Sequence, residues 1–136
     1  MALVAHTHEH GWCSFPLAGH AAHSADAAGS VGYIVNPESC SIIVTRCVVY
    51  GVTNSTGAAN LTIGSATTIV GAHDVANIFA AAAQAASAGT AVQGLANGDP
   101  ADSLPVVAAD SVIAAFCSAD SAGYTGRAYV EYVRVG

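Results

Sequence analysis

Lysine is absent from this chain, and its basic residues are Arg46, Arg127 and Arg134 alone. Phosphate recognition rests on clustered Lys and Arg that displace counterions, so nucleic acid is not an expected partner, nor is an anionic membrane surface. Charge of either sign is scarce: 9% of residues are charged, and nine Asp and Glu leave a formal net charge of −6. Long apolar runs are missing too, since none approaches the ~20 residues of a membrane span. The cysteines, Cys13, Cys40, Cys47 and Cys117, include no CxxC pair, which removes zinc-knuckle and thioredoxin patterns. There is no Gly-rich loop with Lys and no nucleophile elbow, and the acidic residues read as turn formers, so neither an enzyme nor a cofactor is expected. The opening MALVAHTHEHGWC lacks a basic region followed by a long apolar stretch, which makes synthesis in a cytoplasm the expectation.

What is present is apolar. A chain of 136 residues fits one domain and would bury roughly two thirds of its unfolded surface without a disulfide or a metal. Hydrophobic residues make up 53% of it. Soluble domains usually keep apart with about 25% charged residues. The shortfall implies that other protein covers much of this surface.

Residues 1–30 are rich in His, Ala, Gly and Ser and show neither a sustained helical period nor a clean strand. They read as an extended N-terminal arm, with a β-sandwich domain expected over 31–136. The large apolar residues of the arm, Leu3, Trp12, Phe15 and Leu17, are the candidate anchors for docking on a neighbour, Trp12 foremost. Folding of the arm onto its own domain is the plainer alternative.

From Val31 the texture is β. VGYIV stops at the turn NPES, and SIIVTRCVVYGV follows as a long strand of β-branched and apolar residues. Alternation would place Ile42, Val44, Arg46, Val48 and Tyr50 on one face and Ile43, Thr45, Cys47 and Val49 on the other. Both faces are mostly apolar, so core is expected on one side and a covering segment or subunit on the other. Val44, Val48, Val130 and Tyr132 are candidates for the domain core or a contact between protomers. In HDVANIFAAAAQAASAG, Asp74 suits a cap, Val75, Ile78, Phe79, Ala82, Ala83 and Ala86 fall at helical spacing, and Gly89 suits a stop. A short Ala-rich helix is expected there, with an Ala-rich loop over a subunit contact as the alternative, within an all-β sandwich or jelly roll.

Three histidines, His6, His8 and His10, alternate along HTHEH and would share one face of a strand, which makes them weak metal candidates together with His20, His23 and Asp26. Their spacing matches no structural zinc pattern, and Glu9 stands directly after His8 instead of a few residues on. The plainer reading is that these rings are hydrogen-bonding groups in a docked arm, buried neutral more cheaply than Lys or Arg. Docking would then weaken in acid, where protonating all six histidines takes the formal charge from −6 to zero. Cys40 and Cys47 would stand about 23 Å apart on an extended segment and cannot bridge. Free buried thiols are expected, with an inter-subunit disulfide through Cys13 as the alternative. The sequons at Asn54 and Asn60 read as turn and strand residues.

The phrases YIVNPESCSIIVTRCVVYGVTNSTGAANLTIG and GRAYVEYVRV resemble the decoration, or cement, proteins of tailed-bacteriophage heads, which carry a jelly-roll-like β domain. The likeness covers roughly three quarters of the chain, from about Ser30 onward, and rests on texture and short phrases, not on a reactive motif. It implies a virion protein, made in the bacterial host cytoplasm, that sits on the outer capsid surface as a homotrimer and braces neighbouring major capsid protein subunits. A head-fibre base or tail-surface module is the alternative within the same class. A His-rich metal-binding protein is the alternative outside it.

Overall fold

The computed structural model describes residues 9–24, 26, 29–73, 75–83, 88–94 and 103–135. Among these residues nine strands follow in chain order: β1 His10–Ala18, β2 Ser30–Val35, β3 Ser41–Thr53, β4 Asn60–Ala66, β5 Phe79–Ala83, β6 Ala91–Gln93, β7 Val106–Val107, β8 Val112–Cys117 and β9 Thr125–Val135. They form two sheets, one in the order β1-β9-β3-β6 with β7 also on β3, the other in the order β2-β8-β4-β5. Every strand pair is antiparallel.

The two sheets lie face to face because each turns an apolar side inward. Phe15, Leu17, Val44, Cys47, Val49, Val130 and Tyr132 from the first sheet join Val31, Leu61, Ile63, Ile113 and Ala115 from the second in one buried cluster. The period-two alternation of β1 explains its place: Cys13, Phe15 and Leu17 point in, while Trp12 and Pro16 are exposed. Strand β1 pairs with β9 along its whole length, from His10 opposite Val133 to Ala18 opposite Thr125. The segment expected as an extended arm to residue 30 is therefore, from His10 to Ala18, an integral strand of its own domain, nearer to the plainer alternative of folding back. Composition hid it, because Gly11 and Pro16 are poor strand residues and the flanks are polar.

The expected faces of β3 also change. A bulge between Val44 and Arg46 inserts one extra residue, so Ile42 and Val44 point in before it and Cys47 and Val49 after it. Arg46, Val48 and Tyr50 consequently share the outward side, and Val44 is separated from them.

Strand β8 is buried on both sides, which accounts for its unbroken apolar run. Its outward residues Val112, Ala114 and Phe116 form a second cluster with Ala72, against which Ala66 and Ile69 pack. The covering segment passes so close that a Cβ on Gly64 would fall 1.5 Å from the Val75 carbonyl oxygen. Only glycine allows that approach.

Among the described residues of the segment the expected Ala-rich helix is not formed. Val70–Ala72 makes a single 3-10 turn, Ile78 and Phe79 are buried, and Phe79–Ala83 is strand β5, paired with β4. Tertiary pairing overrides the helical preference of alanine, which is a weak local bias. The expected cap Asp74 and position Ala86 lie outside the described residues. Among those residues there is no α-helix, and no helix is long and apolar enough to cross a membrane.

Candidate functional site

Inward placement of Cys13, Phe15 and Leu17 on β1, of Ala128, Val130 and Tyr132 on β9, and of Cys47 and Val49 on β3 forces their neighbours outward. Register then sets these neighbours in rows. Trp12 stands opposite Glu131 and Glu131 opposite Arg46; Ser14 opposite Tyr129 and Tyr129 opposite Val48; Pro16 opposite Arg127 and Arg127 opposite Tyr50. Trp12, Tyr129 and Tyr50 thus step diagonally across three strands. Trp12 is 67% exposed, and Tyr129 and Tyr50 remain about two-fifths exposed at 39% and 41%.

Polar groups flank this diagonal and are held in place. Arg46 Nε donates to Gln93 Oε1 at 2.8 Å, and Arg46 Nη1 lies 3.6 Å from Glu131 Oε1. On the other flank Arg127 Nε donates to Ser14 Oγ at 3.0 Å. A hollow of about 430 Å³ opens between Trp12, Arg46, Val48, Tyr129 and Glu131, and one of about 290 Å³ lies on the far side of Trp12, toward His10 and Thr45. Two of the chain's three arginines stand on this face.

A different surface lies at the end where β1 begins and β9 finishes. Asn36, in the turn after β2, donates through Nδ2 to the carbonyls of Cys40, Val107 and Ala108, while its Oδ1 accepts from the Glu38 amide. Glu38 accepts from Tyr132 Oη at 2.6 Å and pairs with Arg134 Nη2 at 2.8 Å. These bonds hold the Glu38 carboxyl below its ordinary range, Arg134 first and Tyr132 second. Gly11 leaves room for the Tyr132 ring, since a Cβ there would fall 2.6 Å from it. At this braced end Val35, the last residue of β2, and Val106, on β7, are exposed, as is Leu104 just before β7.

The candidate residues divide accordingly. Phe15 and Leu17, expected to dock outside the domain, are core residues at 2% exposure. Trp12 is exposed, but on a strand and not on an arm. Val44, Val130 and Tyr132 lie in the core, whereas Val48 lies on the outward face of β3. Leu3, His6 and His8 lie outside the described residues.

Cys13 is not placed for an inter-subunit disulfide. Its thiol points into the core, where burial pushes its pKa up to about 11, and Cys47 nearby is pushed up to about 12 for the same reason. Cys13 and Cys47 both stand opposite Val130, one on each side of β9. Two strand spacings, about 9.6 Å, separate them, and none of the four cysteines forms a disulfide.

The described histidines, His10, His20, His23 and His73, are dispersed. His10 is exposed at the start of β1, and its carbonyl accepts from Arg134 Nη1 at 2.9 Å. His20 Nε2 donates to the Ser30 carbonyl at 3.0 Å, closing the loop after β1. His23 and His73 line a hollow of about 280 Å³ beside Phe116, against which the His73 ring stands edge-on at 4.9 Å. No group of three or more His, Cys, Asp or Glu among the described residues is placed to hold a metal ion.

The aromatic diagonal was missed at the level of sequence because the bulge in β3 and the strand character of β1 decide it. The alternation of Cys13, Phe15 and Leu17 was the available signal. No protein-family model matches the chain, and no curated protein matches it.

Proposed function

We propose that this chain is a jelly-roll protein of a tailed-bacteriophage virion, a non-enzymatic decoration protein that binds the outer head surface as a homotrimer and braces neighbouring major capsid protein subunits. The jelly-roll reading rests on nested pairing: β1 with β9, β2 with β8, β3 with β6 and β7, and β4 with β5. One long antiparallel hairpin rolled up on itself produces that nesting. Viral capsid and lectin domains both use this architecture, so the fold alone does not choose between them.

The observation that carries the functional reading is the exposed apolar surface at the end where β1 begins, Val35, Leu104 and Val106, on a chain with 9% charged residues. Isolated apolar residues on a surface are ordinary, whereas several near one rigid end suit an interface. The Asn36 and Glu38 networks fix the backbone there, so little ordering is lost on association. Protomers bury this apolar end against one another, and contact with the shell is assigned to residues 1–8, in keeping with the sequence reading of Leu3 as a docking anchor. A protein that binds only the expanded shell shifts the equilibrium away from disassembly, and each added copy contributes.

The test is co-sedimentation of the full chain with expanded heads of its own virus prepared without it. Saturable binding is expected, with binding reduced in a variant lacking residues 1–8 and in the Val35→Asp, Val106→Asp double variant. Full binding by both variants would overturn the assignment of this end, and no binding by the parent chain would overturn the function.

A further inference from the structure

We propose that the outward face of β1, β9 and β3 binds a saccharide, with Trp12, Tyr129 and Tyr50 stacking on successive pyranose faces and Arg46, Glu131 and Arg127 hydrogen-bonding hydroxyls along the two flanks. This does not rest on the virion reading, because it uses a different surface.

Spacing is the first argument. Each step along the diagonal is one strand across and two residues along, a neighbour relation of roughly 7–8 Å that aromatic side chains can span. The three rings therefore form a track and not a cluster. Protein–protein hot spots concentrate at the centre of a patch with water excluded around them. Here charged and polar groups lie between and beside the rings: Glu131 and Arg46 in the row of Trp12, Ser14 in the row of Tyr129, and Arg127 in the row of Tyr50. A pyranose chain has the matching pattern, with apolar C–H faces that meet the negative face of an aromatic ring and hydroxyl edges that meet planar donors and acceptors.

Charge is the second argument. The chain carries −6 overall, yet this face sets Arg46 and Arg127 against Glu131, with Arg46 and Glu131 3.6 Å apart. A nearly balanced face neither attracts a polyphosphate nor repels a neutral or uronate-bearing glycan. Preorganisation is the third. Gln93 and Ser14 hold the two guanidinium groups at 2.8 and 3.0 Å, and the rings stand on paired strands, so little side-chain freedom is lost on binding. The hollow of about 430 Å³ between Trp12 and Tyr129 gives one sugar ring a seat with Arg46 and Glu131 at its rim.

Trp12 is the chain's only tryptophan, so its emission reports directly on this face. The full chain is titrated with a soluble β-glucan, a xylan, a galactan and a polygalacturonate, and run in native gels containing each polymer. At least one polymer is expected to shift the emission and retard the chain, with Trp12→Ala and Tyr129→Ala each weakening retardation roughly tenfold or more. Trp12→Phe should keep most of the binding, and the Val35→Asp, Val106→Asp variant should keep the emission shift per site even where loss of multivalency weakens its retardation. Retardation by none of the four polymers, or unchanged retardation of Trp12→Ala, would overturn the proposal. So would a drop in oligomeric state on Trp12→Ala, which would assign the face to a second copy of the chain.

Discussion

The Glu38 carboxylate joins the turn after β2 to the last residues of β9 through Tyr132 and Arg134. Its pKa is lowered in the folded chain, so its contribution to stability is complete above the ordinary value of 4.5 and is lost as pH falls through the lower folded value. Unfolding by denaturant is therefore expected to need progressively less denaturant below that pH, and Glu38→Gln should flatten this acid limb. Equal acid limbs for the two proteins would contradict the pairing. The thiols behave in the opposite sense, because burial holds Cys13 and Cys47 protonated at neutral pH, with pKa values near 11 and 12. A thiol reagent at neutral pH should label partly exposed Cys40 first and reach Cys13 and Cys47 only on unfolding; fast native labelling of Cys13 would count against its inward placement. The missing CxxC pattern spoke only against a zinc knuckle or a thioredoxin-type pair, whereas the inward direction of Cys13 follows from the alternation of β1. The Glu38 network was not legible in the sequence, since it joins residues 94 or more positions apart.

Strand β1 is the element on which composition and structure part. Phe15 fills the core between the sheets, and Phe15→Ala should cost about 3–5 kcal/mol by chemical denaturation, against a negligible cost for exposed Trp12→Ala. Removing residues 1–20 deletes β1 and exposes the side of β9, so that truncation should abolish cooperative unfolding, while removal of residues 1–8 should leave it. Retained two-state unfolding in the longer truncation would contradict the integral strand. The turn NPES, the long strand after it and the closing strand were legible because β-branched residues and turn formers mark them locally. The bulge in β3 and the strand at Phe79–Ala83 were not, because each depends on a partner strand: β9 sets the first and β4 the second. A bulge moves every later side chain to the other face, and for that reason the site on the outward face stayed hidden although all of its residues were in view.

The molecule as a whole couples a well-filled interior to a weakly charged exterior with two distinct surfaces. One is the apolar end braced by Asn36 and Glu38, assigned to association with further chains; the other is the aromatic track on the broad outward face, assigned to a saccharide. Their separation gives each a variant that should leave the residues of the other in place. That copies of the chain cover the apolar end is the central claim, and sedimentation equilibrium of the purified full chain tests it most directly. A single trimeric species is expected, which the Val35→Asp, Val106→Asp variant converts to a folded monomer. A parent chain that remains monomeric at every accessible concentration would contradict the account.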